Sequence, residues 1–131
     1  MKKTSKQYRV ANDPDSIYYK VTRRSGAFMD KYIARLKEDD YRQIWRNYIL
    51  AESLFMDKER KYSDFRSITV YPAGNKHFTE KIKDFKGFLK PGKKERCMGI
   101  TFEELFKEIA KYARTERVKN WLCYLQERYL V

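Results

Sequence analysis

The chain has 131 residues, of which 42% are hydrophobic and 16% are aromatic. This length and composition are typical of one domain with a packed core, and they weigh against disorder. Thirty basic residues face 18 acidic ones, and the net charge of +12 exceeds the magnitude of about 2 to 8 that is common in a small domain. A polyanion is therefore the expected partner. Nucleic acid is favoured over a basic surface that serves protein partners or solubility, and over a membrane surface.

Several classes of protein are disfavoured by the sequence. It holds no run of 18 apolar residues and no apolar segment after its charged start, so we expect neither a membrane span nor a signal peptide, and a cytoplasmic protein. The two cysteines, Cys97 and Cys123, lie in apolar patterns and are predicted to be buried, reduced thiols. With His77 as the single histidine, a zinc site and Cys-His catalysis are both disfavoured.

The N-terminal part of the chain predicts an arm followed by two helices. Residues 1–12 are basic and poor in apolar side chains, which indicates a flexible basic arm before a single α/β domain over residues 13–131. Asp13 can cap the first helix, and Gly26 can end it in a left-handed conformation. A second, short helix is expected over about residues 29–37.

The stretch from Asp40 to Lys58 predicts the central helix of the domain. Apolar residues recur there at three- and four-residue spacing, which is the period of a helix with one broad buried face. These residues are Tyr41, Ile44, Trp45, Tyr48, Ile49, Ala51, Leu54 and Phe55. Gln43, Arg46 and Asn47 lie off this stripe and converge on one patch, which is either solvated or faces a polar ligand.

Two strands and a crossover helix are predicted next. Residues 65–71 have the β-branched and aromatic character of a strand, and Asn75 can cap a helix that continues to about Leu89. A basic loop follows and contains Lys90, Lys93 and Lys94, read either as a solvated turn or as a phosphate clamp. Residues 96–100 form the second strand.

The remainder of the chain predicts two helices. Thr101 and Glu104 have the spacing of a capping box, and Thr115 can cap the last helix. The apolar stripe of that last helix consists of Val118, Trp121, Leu122, Leu125 and Tyr129.

The predicted order is α-α-α-β-α-β-α-α, a helix-rich α/β fold. A strand-helix-strand unit favours a parallel pair, and such crossovers are right-handed in about 98% of cases. Two short strands make a poor sheet, however. Either helices dominate and cover a minor two-stranded sheet, or another chain or a second copy completes it.

Four segments together resemble a known group of proteins. They are RRSGAF (23–28), QIWRNYILAESLF (43–55), FRSITVYPAGNKHF (65–78) and GITFEEL (99–105). In order and spacing they resemble the C-terminal half of a group of uncharacterised bacterial proteins in the PD-(D/E)XK nuclease superfamily. The resemblance implies half of a restriction-endonuclease-like fold, Mg²⁺-dependent DNA cleavage in the superfamily, and a supporting role for Gln43 and Arg46, with Asn47 beside them.

The chain departs from the superfamily pattern at its catalytic part. The acidic residue and the Glu/Asp-x-Lys motif that hold the metal in the superfamily lie on strands before the first aligned helix, and this sequence has no counterpart to them. Asp84-Phe85-Lys86 has the letters D-x-K but falls inside a predicted helix. We therefore expect no catalytic residue, no resident metal and no independent catalysis.

Three functions are compatible with the sequence. The first is a noncatalytic nucleic-acid-binding remnant or accessory protein. The second is one piece of a split Mg²⁺-dependent nuclease, in which a partner chain supplies the carboxylates. The third is a protein-interaction module whose basic charge is incidental, as a homodimer or with another chain. For the first, the candidate nucleic-acid-binding residues are Gln43, Arg46, Asn47, Lys90, Lys93, Lys94 and Arg96.

Overall fold

The computed structural model describes residues 5–59 and 61–130. Its α-helices are α1 (Lys6–Asn12), α2 (Ile17–Ser25), α3 (Asp39–Phe55), α4 (Lys76–Phe88), α5 (Phe102–Tyr112) and α6 (Glu116–Tyr129). The strands are β1 (Ser67–Tyr71) and β2 (Cys97–Thr101), and 3₁₀ turns cover Asp30–Arg35 and Lys94–Arg96. The predicted helix-rich α/β class with a short, parallel, two-stranded sheet is confirmed.

The N-terminal segment contains a helix that the sequence did not predict. α1 is capped by Ser5, whose hydroxyl accepts a hydrogen bond from the Tyr8 backbone N–H at 3.2 Å. Ala11 is fully buried, and its carbonyl accepts a hydrogen bond from the Tyr19 hydroxyl at 3.1 Å. The Arg42 guanidinium also lies 5.8 Å from the centroid of the Tyr8 ring. Few apolar side chains take part in these contacts, so the sequence shows no broad apolar stripe that would predict the helix. The predicted flexibility of residues 1–12 stays a prediction, and residues 1–4 lie outside the described part.

Two other boundaries differ from their predictions. α2 begins after Ser16, because Asp13 instead accepts the Asp15 backbone N–H at 2.9 Å and forms a turn. Its C-terminus is as predicted, with Gly26 at φ 62°. The short helix expected over residues 29–37 is a 3₁₀ helix over Asp30–Arg35. Such a turn suits a connector of this length.

The chain divides into two compact units. The first consists of residues 1–67 and 80–98, and the second of residues 68–79 and 99–131. The single domain expected over residues 13–131 stays a prediction. No helix in the described ranges is long and apolar enough to cross a membrane.

The core of the first unit is built on α3. The predicted central helix is present, and its buried side chains are Tyr41, Ile44, Trp45, Tyr48, Ile49 and Glu52. The predicted stripe is wrong at Leu54, which is 55% exposed, while Glu52 is buried at 1%. The buried face therefore contains a carboxylate that needs a partner.

Aromatic rings supply much of this core. Phe28, Tyr48 and Phe85 meet edge to face, with ring centroids 5.5 to 6.1 Å apart. Trp45 is fully buried, and its indole N–H donates to the Thr22 hydroxyl at 2.8 Å. This bond satisfies the one polar atom of the largest core side chain and joins α3 to α2.

The second unit contains α5, α6 and most of both strands. The predicted capping box at the start of α5 is confirmed, with Thr101 and Glu104 each accepting the backbone N–H of the other at 3.1 Å. Thr115 caps α6 as predicted. The predicted apolar stripe of α6 is wrong at three residues, since Val118, Trp121 and Tyr129 are 37%, 52% and 40% exposed. The prediction that Cys123 is buried is also wrong, because it is exposed.

Candidate nucleic-acid interface

The three polar residues predicted to converge on α3 do share its exposed face. Gln43, Arg46 and Asn47 are all exposed, whereas Ile44 and Trp45 between them are buried. The Gln43 side-chain amide donates to the Asn47 Oδ1 atom at 3.2 Å. The amide pair is therefore held in place by its own hydrogen bond and leaves the Arg46 guanidinium available.

Two adjoining grooves run between α2 and α3 beside this patch. The first, of about 320 Å³, is lined by Arg46 together with Tyr18, Ile49 and Leu50. The second, of about 500 Å³, is lined by Lys20, Arg24, Met56, Asp57 and Lys58. Ile17, Val21 and Ser53 line both grooves, so the two form one continuous surface, which we call the α2–α3 groove.

The α2–α3 groove is positively charged. Its cations are Lys20, Arg24, Arg46 and Lys58, and Asp57 is the one acidic residue among its lining side chains. Within residues 5–59 and 61–130, none of the four cations takes part in an ion pair. Their charge is therefore available to an anionic ligand.

The charge of the whole chain is concentrated in the same unit. The first unit holds 23 basic and 13 acidic residues, whereas the second holds 7 and 5. Ten of the twelve net positive charges therefore belong to the unit that carries the α2–α3 groove. A polyanion attracted by net charge is directed to that unit.

The basic loop at residues 90–94 is a well-formed turn. The Lys90 backbone N–H donates to the Ala27 carbonyl at 2.7 Å, and Gly92 has φ 86°, which favours glycine. Lys90 is exposed, while Lys93 and Lys94 are half-buried. None of the three lines the α2–α3 groove.

Arg96 lies in an ionic cluster that is buried at Glu52 and half-exposed at Asp64. Its guanidinium packs against the rings of both Phe55 and Phe65, 4.6 and 4.8 Å from their centroids. Nη1 lies 3.7 Å from Glu52 Oε1, and Nε lies 3.4 Å from Asp64 Oδ1. The structure thus does not bring Arg96 together with Arg46, and its charge is used inside the unit.

Tyr48 completes the cluster around Glu52. Its hydroxyl donates to Glu52 Oε1 at 2.9 Å. Burial, followed by the nearby Glu52 charge, raises the pKa of Tyr48 far above its ordinary value. Arg66 donates to Asp64 at 2.6 Å and lowers the pKa of that carboxyl. Tyr48 therefore stays a neutral donor, and Asp64 stays a charged partner.

Glu52 is the residue of this cluster that was not predicted from the sequence. A signal was present, because Glu52 follows Tyr48 by four residues and so falls on the buried stripe of α3. A charged residue in that register calls for a cation from elsewhere in the chain. The sequence alone did not indicate that this cation is Arg96.

Comparisons with known proteins identify a family. A family model described as the PD-(D/E)XK nuclease superfamily matches residues 2–131, which is nearly the whole chain. Neither a curated protein nor a solved structure matches it.

Proposed function

The chain belongs to the PD-(D/E)XK nuclease superfamily, and we propose that it binds nucleic acid and does not cleave it by itself. The observation that carries the proposal is the α2–α3 groove, where four cations form no ion pair with any described residue and one of them, Arg46, lies beside the Gln43–Asn47 amide pair. The cations suit phosphate oxygens, and side-chain amides suit the polar edges of bases or further phosphates.

The described residues do not fit the Mg²⁺ ion used in the superfamily. Among them, no group of three or more His, Cys, Asp or Glu side chains could hold a metal ion. Glu52 and Asp64 share Arg96, whose guanidinium already balances their charge. Asp84 accepts a hydrogen bond from Tyr41 at 3.2 Å, and Phe85 beside it is fully buried. No cleavage step is therefore assigned to these residues.

Duplex DNA binding as a function of salt tests the proposal. If the four groove cations each neutralise one phosphate, log K falls against log salt with a slope of about −3.6. Removing three of them should shrink the magnitude of that slope by about 2.7. The test variant carries Lys20→Gln, Arg24→Gln and Arg46→Gln. A matched control removes three exposed cations of the second unit by Lys76→Gln, Lys107→Gln and Arg114→Gln.

Fluorescence anisotropy with a labelled duplex gives both affinity and slope. The groove variant should lose most of the affinity, and the control variant should bind nearly as the unmodified chain does. Equal losses in the two variants would show that net charge, rather than the groove, governs binding. DNA cleavage by the pure chain with Mg²⁺, abolished by EDTA, would overturn the noncatalytic part of the proposal.

A second candidate, completion of the fold by another chain, rests on the sheet. In the described residues the sheet has only β1 and β2, and Ile68 on β1 is 55% exposed. Two-stranded pairs are marginal alone, and an open edge accepts a further strand. Such a partner could bring the missing carboxylates. Two results together would exclude this candidate. The pure chain would sediment as a monomer, and any co-purified partner would add no nuclease activity.

A further inference from the structure

One face of α6 combines exposed aromatic rings with arginines. Arg117, Trp121, Tyr124 and Arg128 follow one another at spacings of four, three and four residues. At about 100° per residue, these spacings place all four within a sector of about 60°. We call this face the α6 stripe.

The rings of the α6 stripe are not part of the core. Trp121 is 52% exposed and Tyr124 is 56% exposed, whereas Leu122 on the same helix is buried at 6%. The acidic residues of α6, Glu116 and Glu127, fall about 60° or more outside the sector. The stripe therefore presents two π-faces and two cations with no carboxylate among them.

The C-terminal end of the stripe is held in a defined position. The Arg128 Nη1 atom donates to the Tyr124 hydroxyl at 3.2 Å, and the guanidinium lies 5.5 Å from the centroid of the Tyr129 ring. Tyr129 in turn stacks on Phe102 of α5, with centroids 5.1 Å apart and an interplanar angle of 17°. Tyr124 and Arg128 are thus oriented before any ligand arrives, which lowers the cost of binding.

We propose that the α6 stripe binds single-stranded nucleic acid by stacking unpaired bases on Trp121 and Tyr124, with Arg117 and Arg128 directed to the phosphates. Aromatic platforms combined with arginines are the usual means of holding single strands, because every base has a π-face. The stripe spans about 16 Å and is one side chain wide. A stable protein partner typically covers about 800 Å², so this narrow surface suits a strand better than a globular protein.

This inference rests on the proposed function only in the class of ligand. The α2–α3 groove belongs to the first unit and acts through charge, whereas the α6 stripe belongs to the second unit and acts through stacking. Comparing a ligand that has bases with one that lacks them therefore distinguishes binding at the α6 stripe from binding at the α2–α3 groove. The matched probes are an eight-residue oligothymidylate and an abasic strand with the same number of phosphates.

The two tryptophans of the chain provide the readout. Trp45 is fully buried and Trp121 is half-exposed, so quenching of the exposed emission reports on the stripe. Oligothymidylate should quench this emission, and the abasic strand should not. Because Trp121→Ala lacks this fluorophore, its binding is measured by fluorescence anisotropy of a labelled oligothymidylate, and it should be about fivefold weaker or more, the low end of the effect of removing one stacking ring. Tyr112→Ala is the matched control, since Tyr112 is 74% exposed on α5 and lies outside the stripe.

Each outcome has a defined meaning. The stripe proposal is overturned if both probes bind equally, or if Trp121→Ala and Tyr112→Ala have equal effects. The groove proposal still stands in that case if the groove variant loses duplex binding. Loss of oligothymidylate binding in Trp121→Ala with an unaffected groove variant overturns the groove instead. A dimer that dissociates on Trp121→Ala while binding neither probe would show that a second copy covers the stripe, and would overturn it.

Discussion

Replacing Arg96 with methionine should strongly destabilise the first unit. The Glu52 side chain is 2% exposed and the Arg96 side chain 16%, with 3.7 Å between Oε1 and Nη1. At an effective dielectric constant of about 20, charges at that distance attract by about 4.5 kcal/mol, a gain that desolvation of both ions largely offsets. Arg96→Met removes the attraction but leaves the Glu52 carboxylate buried. The expected loss is about 3–5 kcal/mol in the free energy of unfolding.

A second substitution shows whether the loss of stability comes from an unpaired buried charge or from lost packing. Glu52→Gln keeps an acceptor for the Tyr48 hydroxyl and removes the negative charge. The double variant Glu52→Gln, Arg96→Met should therefore be clearly more stable than Arg96→Met alone. If packing against Phe55 and Phe65 were the main contribution, the double variant would be no better than the single one.

Urea denaturation followed by circular dichroism measures these differences directly. A change in midpoint at constant slope gives the change in stability. A loss below about 1 kcal/mol for Arg96→Met, or a double variant no more stable than the single one, would refute the role of the ion pair.

Three further predictions concern groups whose surroundings are equally well defined. Burial raises the pKa of Cys97 to about 11. The contribution of this thiol to stability is therefore complete below the ordinary pKa of 9 and is lost as the pH rises through 11. Cys97→Ala should make the urea midpoint depend less on pH across that range. Thr101→Ala removes the capping box and should cost about 1 kcal/mol in thermal unfolding, whereas Thr101→Ser should cost much less. Thr22→Val leaves the buried Trp45 N–H without its acceptor and should cost about 1–3 kcal/mol, while Thr22→Ser, which keeps the hydroxyl, should retain most of the stability.

Each of these predictions has a contrary result. A stability difference between Cys97→Ala and the unmodified chain that does not change from pH 9 to pH 11 would contradict the first. Equal melting temperatures for the alanine and serine variants at residue 101 would contradict the second. For the third, the contrary result is a valine variant as stable as the serine variant.

The candidate interface was only partly predictable. Gln43, Arg46 and Asn47 were placed together from spacing alone, because neighbours on a helix face are three or four residues apart. The groove beside Arg46 depends on the packing of α2 against α3, which brings Lys20 and Arg24 to the patch. Nothing in the local sequence of either helix specifies that approach.

Features that depend on neighbours a few residues apart were predictable without the structure. They include the central helix, the capping box at Thr101 and the left-handed Gly26, since helical period and caps are local properties. Which faces are covered follows from the packing of distant segments. The structure shows this packing. It paired Glu52 with Arg96 from a distant part of the chain, and it left Trp121 exposed although its spacing suited a core residue. Burial depends on what packs against a face, and the partner of a buried charge is found only when distant segments meet.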